Sequence, residues 1–395
     1  MVSADIPPVL PAQRSSRLRR VSFSDIPPDR WAELYALSPT STPFSAWTFH
    51  RAWWDAYGTT ASEHYLVWNQ TAGDDPHTGS AAACPIDGIV PLMAREHRVP
   101  GSDSSSTTVP GGAAPEAVAW TTRTMYFAAS YHADYASVLV PARHLVELAS
   151  DLAAHLGDLL RHGQLDAVDL RRLPEGDPLP RALIAAWERE GSADGVYARV
   201  EPEDVCPVVN LRGDWHAQLA SLGKKTRHEI RRKLRRAERA GPVALRYLPL
   251  DAAAVDSFIR LHQARWGSAG LFAASEDGDR SRLFLRRLAE LEAASATPRF
   301  HLGEVSVAGR VVYALAGFHE RGTCYFYNAG LDPDARDLSP GIVGTAAYLR
   351  DRIERGEQRF DFLRGNEPYK YEWGAEDTRL DRLVATWEGT GPTPS

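Results

Sequence analysis

The segment from Arg299 to Gly365 restricts the possible folds more than any other. RFHLGEVSV, VVYALAGFHE and TCYFYNAGLD are three apolar-rich runs separated by AGR and RG, short Gly-containing breaks of the kind that close hairpins. They predict an antiparallel meander. PDARDL then leads into SPGIVGTAAYLRDRIERG, which predicts a helix. Ser339 suits its N-cap and Pro340 its first position, Ile342, Ala346, Leu349 and Ile353 share a face, and Gly356 suits the stop. RFDFLRG (359–365) predicts a strand after it. A strand that returns through a helix to its neighbour makes a parallel pair, so the sheet is mixed.

The same order occurs earlier, where YASVLVP (135–141) is followed by a helical run to Gly163 and then by LDAVDLRRL (165–173). Asp169 and Arg172 are spaced like Asp361 and Arg364, which suggests a duplicated unit. A length of 395 residues favours two domains. The Gly-, Glu- and Pro-rich stretch at 195–205 predicts the boundary between a half at 21–198 and a half at 199–390, with tails at 1–20 and 391–395. TAGDDPHTGSAA (71–82) and GSDSSSTTVPGGAAPEA (101–117) predict loops around a strand at 84–97.

The net charge of −6 argues against a protein that coats nucleic acid with its whole surface. Three dispersed cysteines, Cys84, Cys206 and Cys324, provide neither a disulfide framework nor a paired-Cys metal site, and fit a reducing cytoplasm. No run of about eighteen apolar residues occurs, so no transmembrane segment is expected and any membrane association is peripheral. Thirteen histidines form no HExxH pattern, no serine sits in a nucleophile elbow, and no metal is expected.

Chemistry concentrates at the start of the helix at 340. A helix N-terminus presents amide N–H groups and the positive end of its dipole, a receptor for phosphate. Gly341 and Gly344 lack side chains there, so a diphosphate can approach the backbone. A capped helix with nothing bound explains Ser339 and Pro340 but not two glycines, each costing about 1 kcal/mol relative to Ala.

The run FYNAGLDPDARDLSPGIVGTAAYLRDRIERGEQRFDFLRGNEPYKYEWG resembles the GNAT-type acyltransferases of the CelD/BcsL kind, which are similar to the FemABX peptidyltransferases with two GNAT-like halves. PFSAWTFHRAWWDAYG and LGKKTRHEIRRKLRRAERAG extend the resemblance more loosely over most of the chain. It implies an α/β fold of two tandem GNAT-like domains, each with a mixed, mostly antiparallel sheet flanked by helices. The implied activity is transfer of an acyl group from acetyl-CoA or another acyl-CoA to a small or polymer-bound amine, in envelope polysaccharide or natural-product biosynthesis. An aminoacyl-tRNA donor and a non-catalytic scaffold are the alternatives. The family's donor loop runs Gln or Arg, two residues, Gly, one residue, Gly or Ala. Here Leu338 opens it, Ser339 and Gly341 lie within it, Val343 closes it, and Gly344 comes one place late. The earlier half has no glycine at the equivalent place, so one donor site is expected.

By strand alternation Tyr325 and Tyr327 share one face and Phe326 and Asn328 the other, so one pair faces the cleft. Tyr327, Asn328 and Asp361 are candidates for proton transfer. NEPYKYEWG (366–374) is expected as a loop over the site, with Lys370 as its charged tip and Tyr369, Tyr371 and Trp373 anchoring it; the PYKY run matches the family pattern. Tyr131, His132, Arg364, Tyr369 and Trp373 are candidates for contacting the acceptor. Between Gly223 and Arg239 nine Lys or Arg face two Glu. This predicts either a solvated surface helix or one that meets tRNA or another anionic partner through Arg231, Arg232 and Arg235.

Overall fold

The computed structural model describes residues 17–71, 85–99, 120–189 and 195–388. The expected loops at 72–82 and 101–117 and the tail at 391–395 lie outside them. The first half of the chain runs β1 (Leu18–Val21), α1 (Pro28–Leu37), α2 (Trp47–Tyr57), β2 (Ser62–Trp68), β3 (Gly88–Val99), β4 (Trp120–Phe127), α3 (Leu145–Arg161), β5 (Ala167–Pro174) and α4 (Leu179–Arg189). The second runs β6 (Val196–Asn210), α5 (Trp215–Ser221), α6 (Lys224–Ala240), β7 (Val243–Leu248), α7 (Ala252–Trp266), α8 (Glu276–Ala293), β8 (Phe300–Val307), β9 (Arg310–Glu320) and β10 (Thr323–Leu331). It ends with α9 (Pro340–Glu354), β11 (Arg359–Asp361), α10 (Pro368–Tyr371) and β12 (Glu376–Trp387).

Among the described residues the strands form one mixed sheet in the order β1-β2-β3-β4-β5-β12-β6-β11-β10-β9-β8-β7. The duplication expected from the sequence is present in the topology. Antiparallel β1 to β4 are followed by β5 parallel to β4, and antiparallel β7 to β10 by β11 parallel to β10. The next strand out is exchanged. β6, which follows the first half in sequence, pairs with β11, while β12, which closes the chain, pairs with β5. β6 and β12 also pair with each other along most of their length.

This exchange corrects two expectations. The boundary placed between residues 198 and 199 falls inside β6, because backbone groups that would need solvent in a linker are hydrogen-bonded to β12 there. Leu18–Val21, expected within a tail, pairs with β2 as an edge strand. RFDFLRG is strand only over Arg359–Asp361; from Phe362 the chain turns, with Leu363 at φ 57°.

Helices cover both faces. α3 and α4 bury Leu148, Leu152, Leu156 and Leu183 under the first half, and α9 buries Val343, Tyr348 and Leu349 under the second. On the opposite face α2 and α8 pack together, so Phe49 and Trp53 share one core with Phe284 and Phe318. The helical aromatic spacing at 47–57 is therefore core, as periodicity implies. Cut between residues 198 and 199, the first half lacks β12, and each half lacks part of a shared core. Residues 21–198 and 199–390 expressed separately should each fail to give a cooperative unfolding transition, whereas the full chain gives one; a sharp transition from either fragment alone would contradict the interlocked sheet.

Candidate active site

β10 and β11 pair over only three residues, Thr323 to Tyr325 against Arg359 to Asp361, and then part. Two local features open them. A β-bulge at Tyr327 shifts the β10–β9 register between Phe326 and Asn328, bending the strand, and β11 ends at Asp361. The gap is a cavity of about 410 Å³ between the two halves. Its floor is the freed edge of β10, including both Tyr327 and Asn328. The expectation that alternation admits only one of them is thus corrected, since the extra residue of a bulge breaks the two-residue period.

Tyr131, His132 and Asp134 reach the cavity from the loop after β4, and Arg364, Glu367, Tyr369 and Lys370 from the turn after β11. The C-terminal end of α7 adds Arg265 and Trp266. Five candidates named from sequence for the acceptor or for proton transfer therefore converge with Tyr327 and Asn328: Tyr131, His132, Arg364, Tyr369 and Lys370. Asp134, which stands beside His132 in an aromatic run expected to line a cleft between the halves, reaches the cavity as well, although it carries no expected role in proton transfer. Arg265 and Trp266 carried no pattern that marked them.

The polar groups are tightly arranged. Arg364 Nε lies 3.2 Å from Asp134 Oδ1, an ion pair across the halves. Burial pushes the Asp134 carboxyl up to about 6 against the lowering effect of Arg364. His132 is stripped of solvent and lowered to about 3, hence a neutral ring at pH 7. Its Nε2 lies 2.8 Å from Tyr57 Oη and its Nδ1 3.3 Å from Tyr327 Oη. Burial raises the Tyr327 phenol well above its ordinary value, so it stays protonated at neutral pH and can offer a hydrogen bond.

Asp361 takes another place. It does not line the cavity; Tyr135 Oη donates to its Oδ2 at 2.7 Å and the Leu363 amide to its Oδ1 at 2.7 Å. Asp361 thereby ties the end of β11 to the first half, and burial raises its carboxyl to about 6. Trp373 is core, 1% exposed, and does not line the cavity. Lys370 is not the tip of a loop. PYKY is a helical turn, which directs Lys370 inward and leaves Tyr371 exposed. Lys370 Nζ donates to the carbonyl oxygens of Leu363, Arg364 and Gly365 at 2.9, 2.8 and 2.9 Å and lies 2.9 Å from Glu367 Oε2. With four oxygens around it, the ammonium clamps the turn that carries Arg364.

At the start of α9 the two glycines separate in role. A Cβ on Gly344 would stand 2.3 Å from Tyr313 Cγ, so this glycine admits the Tyr313 ring beneath the helix and does not face a ligand. A Cβ on Gly341 would meet only Leu331 Cδ2, at 3.8 Å, which leaves its side of the turn open. Ser339 stands at the N-cap, as expected, but is left-handed at φ 54° and makes no side-chain cap bond. Its Oγ instead accepts from Arg236 Nη2 at 2.8 Å. Val343 is fully buried in the core and Leu338 partly so.

α6 rests on the domain through Ile230 and Ala237, the narrow apolar edge expected. Of the three arginines singled out there, Arg232 is engaged with Glu229 on its own helix. Arg236, not among them, is the one that touches the α9 turn.

Residues 224–371 match the acetyltransferase (GNAT) domain family. The whole chain shares its fold with the crystal structure of FemX, at 9% identity, with 92% of this chain and 96% of that one covered and a TM-score of 0.53. A conserved protein of unknown function from Bacteroides thetaiotaomicron is similar over 92% of this chain and 98% of its own, with 11% identity and a TM-score of 0.50. A tandem GNAT protein from the clavulanic acid biosynthesis pathway covers 95% of this chain and 99% of its own, with 12% identity and a TM-score of 0.45. No curated protein matches the chain. Among the described residues no helix is long and apolar enough to cross a membrane, and no group of His, Cys, Asp or Glu is suited to a metal.

The arrangement around Lys370 reverses the cost expected of an exposed lysine. Lys370→Met keeps the aliphatic volume but removes bonds from a charged donor to buried carbonyls, and should lower the unfolding free energy by about 2–4 kcal/mol in chemical denaturation. A variant as stable as the wild type would show that the ammonium is not the clamp of this turn.

Proposed function

We propose that the protein is an N-acyltransferase that moves an acyl group from acyl-CoA to an amine held between the two halves. The observation that carries this reading is the parting of β10 and β11 beside the start of α9. It provides a strand edge for an extended arm and, at one end, a helix N-terminus for a diphosphate. The thioester would supply an activated carbonyl. Gly341 and the left-handed Ser339 would leave the α9 turn accessible, with Arg236 beside it.

In this reading the β10 edge orients the carbonyl. Asn328 Oδ1 accepts from the Ala329 amide at 2.8 Å, so a donor amide or thioester oxygen can take over that bond without leaving the N–H unpaired. Asp134, ionised above about 6 and steadied by Arg364, accepts a proton from the amine. Tyr327, whose phenol keeps its proton, can steady the departing sulfur by a hydrogen bond, and the sulfur leaves as a thiolate while Asp134 holds the proton taken from the amine. The acceptor enters past Tyr131 and Trp266, exposed aromatics on opposite halves.

A tRNA-linked donor would present its phosphates to the same turn and to α6. Titration with tRNA separates the readings, because binding through α6 would weaken steeply with salt. Acyl-CoA is preferred because the backbone of the α9 turn is open at Gly341, where a Cβ would meet only Leu331 Cδ2 at 3.8 Å.

Gly341→Glu places bulk and negative charge at the open side of the turn without striking the core. It should reduce acetyl-CoA affinity at least about tenfold, some 1.4 kcal/mol, in calorimetry while the melting temperature stays near wild type. Undiminished binding in the folded variant would remove the donor assignment. With an amine acceptor at saturation, turnover should fall as pH drops through about 6, because protonation of Asp134 removes the base. Asp134→Asn should abolish that limb along with most of the rate; a limb that persists in this variant would assign it to another group.

A further inference from the structure

A second, much smaller cavity opens behind the first and shares His132, Leu271, Tyr327 and Asn328 with it. Its remaining walls are Phe258, Phe272, Ser281, Phe284 and Leu285, contributed by α7, α8 and the turn between them. The space is about 10 Å³, room for one group the size of a water or a methyl.

The chemistry of the walls selects between those two. Ser281 Oγ is engaged with Tyr57 Oη at 2.8 Å, and both ring nitrogens of His132 are directed to phenol oxygens. Asn328 Oδ1 is bonded to the Ala329 amide. A water there would find few free partners among phenyl rings and leucines, whereas a methyl loses nothing. The far wall is also rigid. Phe284 stacks on His132 with centroids 4.4 Å apart and planes 16° apart, and Phe49 meets its ring edge-on at 5.2 Å. Both partners belong to the first half of the chain.

From this we infer that the annex receives the tail of the transferred acyl group and admits one carbon beyond the carbonyl, with Phe284, held by the first half of the chain, as the residue that sets acyl length. The inference rests on the acyl-CoA reading above. Tyr327 and Asn328 line both spaces, so a carbonyl lying on the β10 edge at the bulge has the annex directly behind it. The partner half would thus act as a specificity element although the proposed donor turn lies in the GNAT half.

Calorimetric titration of the full chain with free coenzyme A, acetyl-CoA, butyryl-CoA and hexanoyl-CoA tests this. The expected result is that acetyl-CoA binds at least about tenfold more tightly than butyryl-CoA, as one or two methylenes against a fixed apolar wall discriminate by roughly 10–200-fold. Phe284→Leu should close that gap, and Phe272→Leu, which opens the annex from another side, provides the same test should the first variant not fold. Circular dichroism and melting temperature identify the folded variants. If free coenzyme A does not bind, the donor reading fails and this inference with it. If coenzyme A binds but butyryl-CoA is as tight as acetyl-CoA in the wild type, only the annex inference is overturned. The same holds if the tenfold gap persists in the folded variants.

Discussion

The structure depends on the exchange of two strands. β6 follows β1–β5 and β12 follows β7–β11, each completes the sheet of the other set of strands, and their mutual pairing joins both into one sheet. A strand in mid-sheet has every backbone group committed to a neighbour, so the halves cannot separate without leaving those groups unpaired. That fixes the distance between the loop after β4 and the turn after β11. The Asp134–Arg364 pair and the Tyr135–Asp361 bond cross the gap the exchange creates, and His132 stacks on Phe284 across it. A buried ion pair of this kind contributes little net stability and much to geometry.

Given that frame, the cavity follows from one extra residue and one short strand. The bulge at Tyr327 bends β10 where β11 has already ended, so the two strands diverge instead of closing the sheet. Open backbone edges are costly where they are buried, and here the exposed edge is covered by side chains. Asn328 satisfies one amide, and Lys370 satisfies three carbonyls of the facing turn. Both replace sheet pairing with side-chain bonds, which keeps the gap open without collapse.

The expectations that failed share a cause. Gly344 and Gly341 look alike in sequence, but one accommodates the Tyr313 ring and the other borders open space. Pro368 and Gly374 suggest a loop with Lys370 at its tip, but one helical turn directs the side chain inward and places the ammonium among carbonyls. Ser339 holds the N-cap position its residue type suggests, yet it is left-handed there and its hydroxyl serves Arg236 instead of the helix. Each of these depends on a contact with a residue distant in the chain or on a turn that composition does not encode.

The sequence by itself determined the local elements. The 3.6-residue spacing of apolar positions makes α2 and α9, alternation and Gly breaks make the meander, and the spacing of Asp169 and Asp361 marks the repeated β5 and β11. It also brought forward Tyr131, His132, Tyr327, Asn328, Arg364, Tyr369 and Lys370 of the cavity's lining, because polar residues beside aromatics at strand ends are seldom core. Only the tertiary structure decided that β6 and β12 change partners, that Asp134 and not Asp361 meets the cavity, and that Arg236 reaches the α9 turn. The reason is that propensity and periodicity act over a few residues, while pairing partner and side-chain surroundings are set by backbone bonds and packing among segments a hundred or more residues apart.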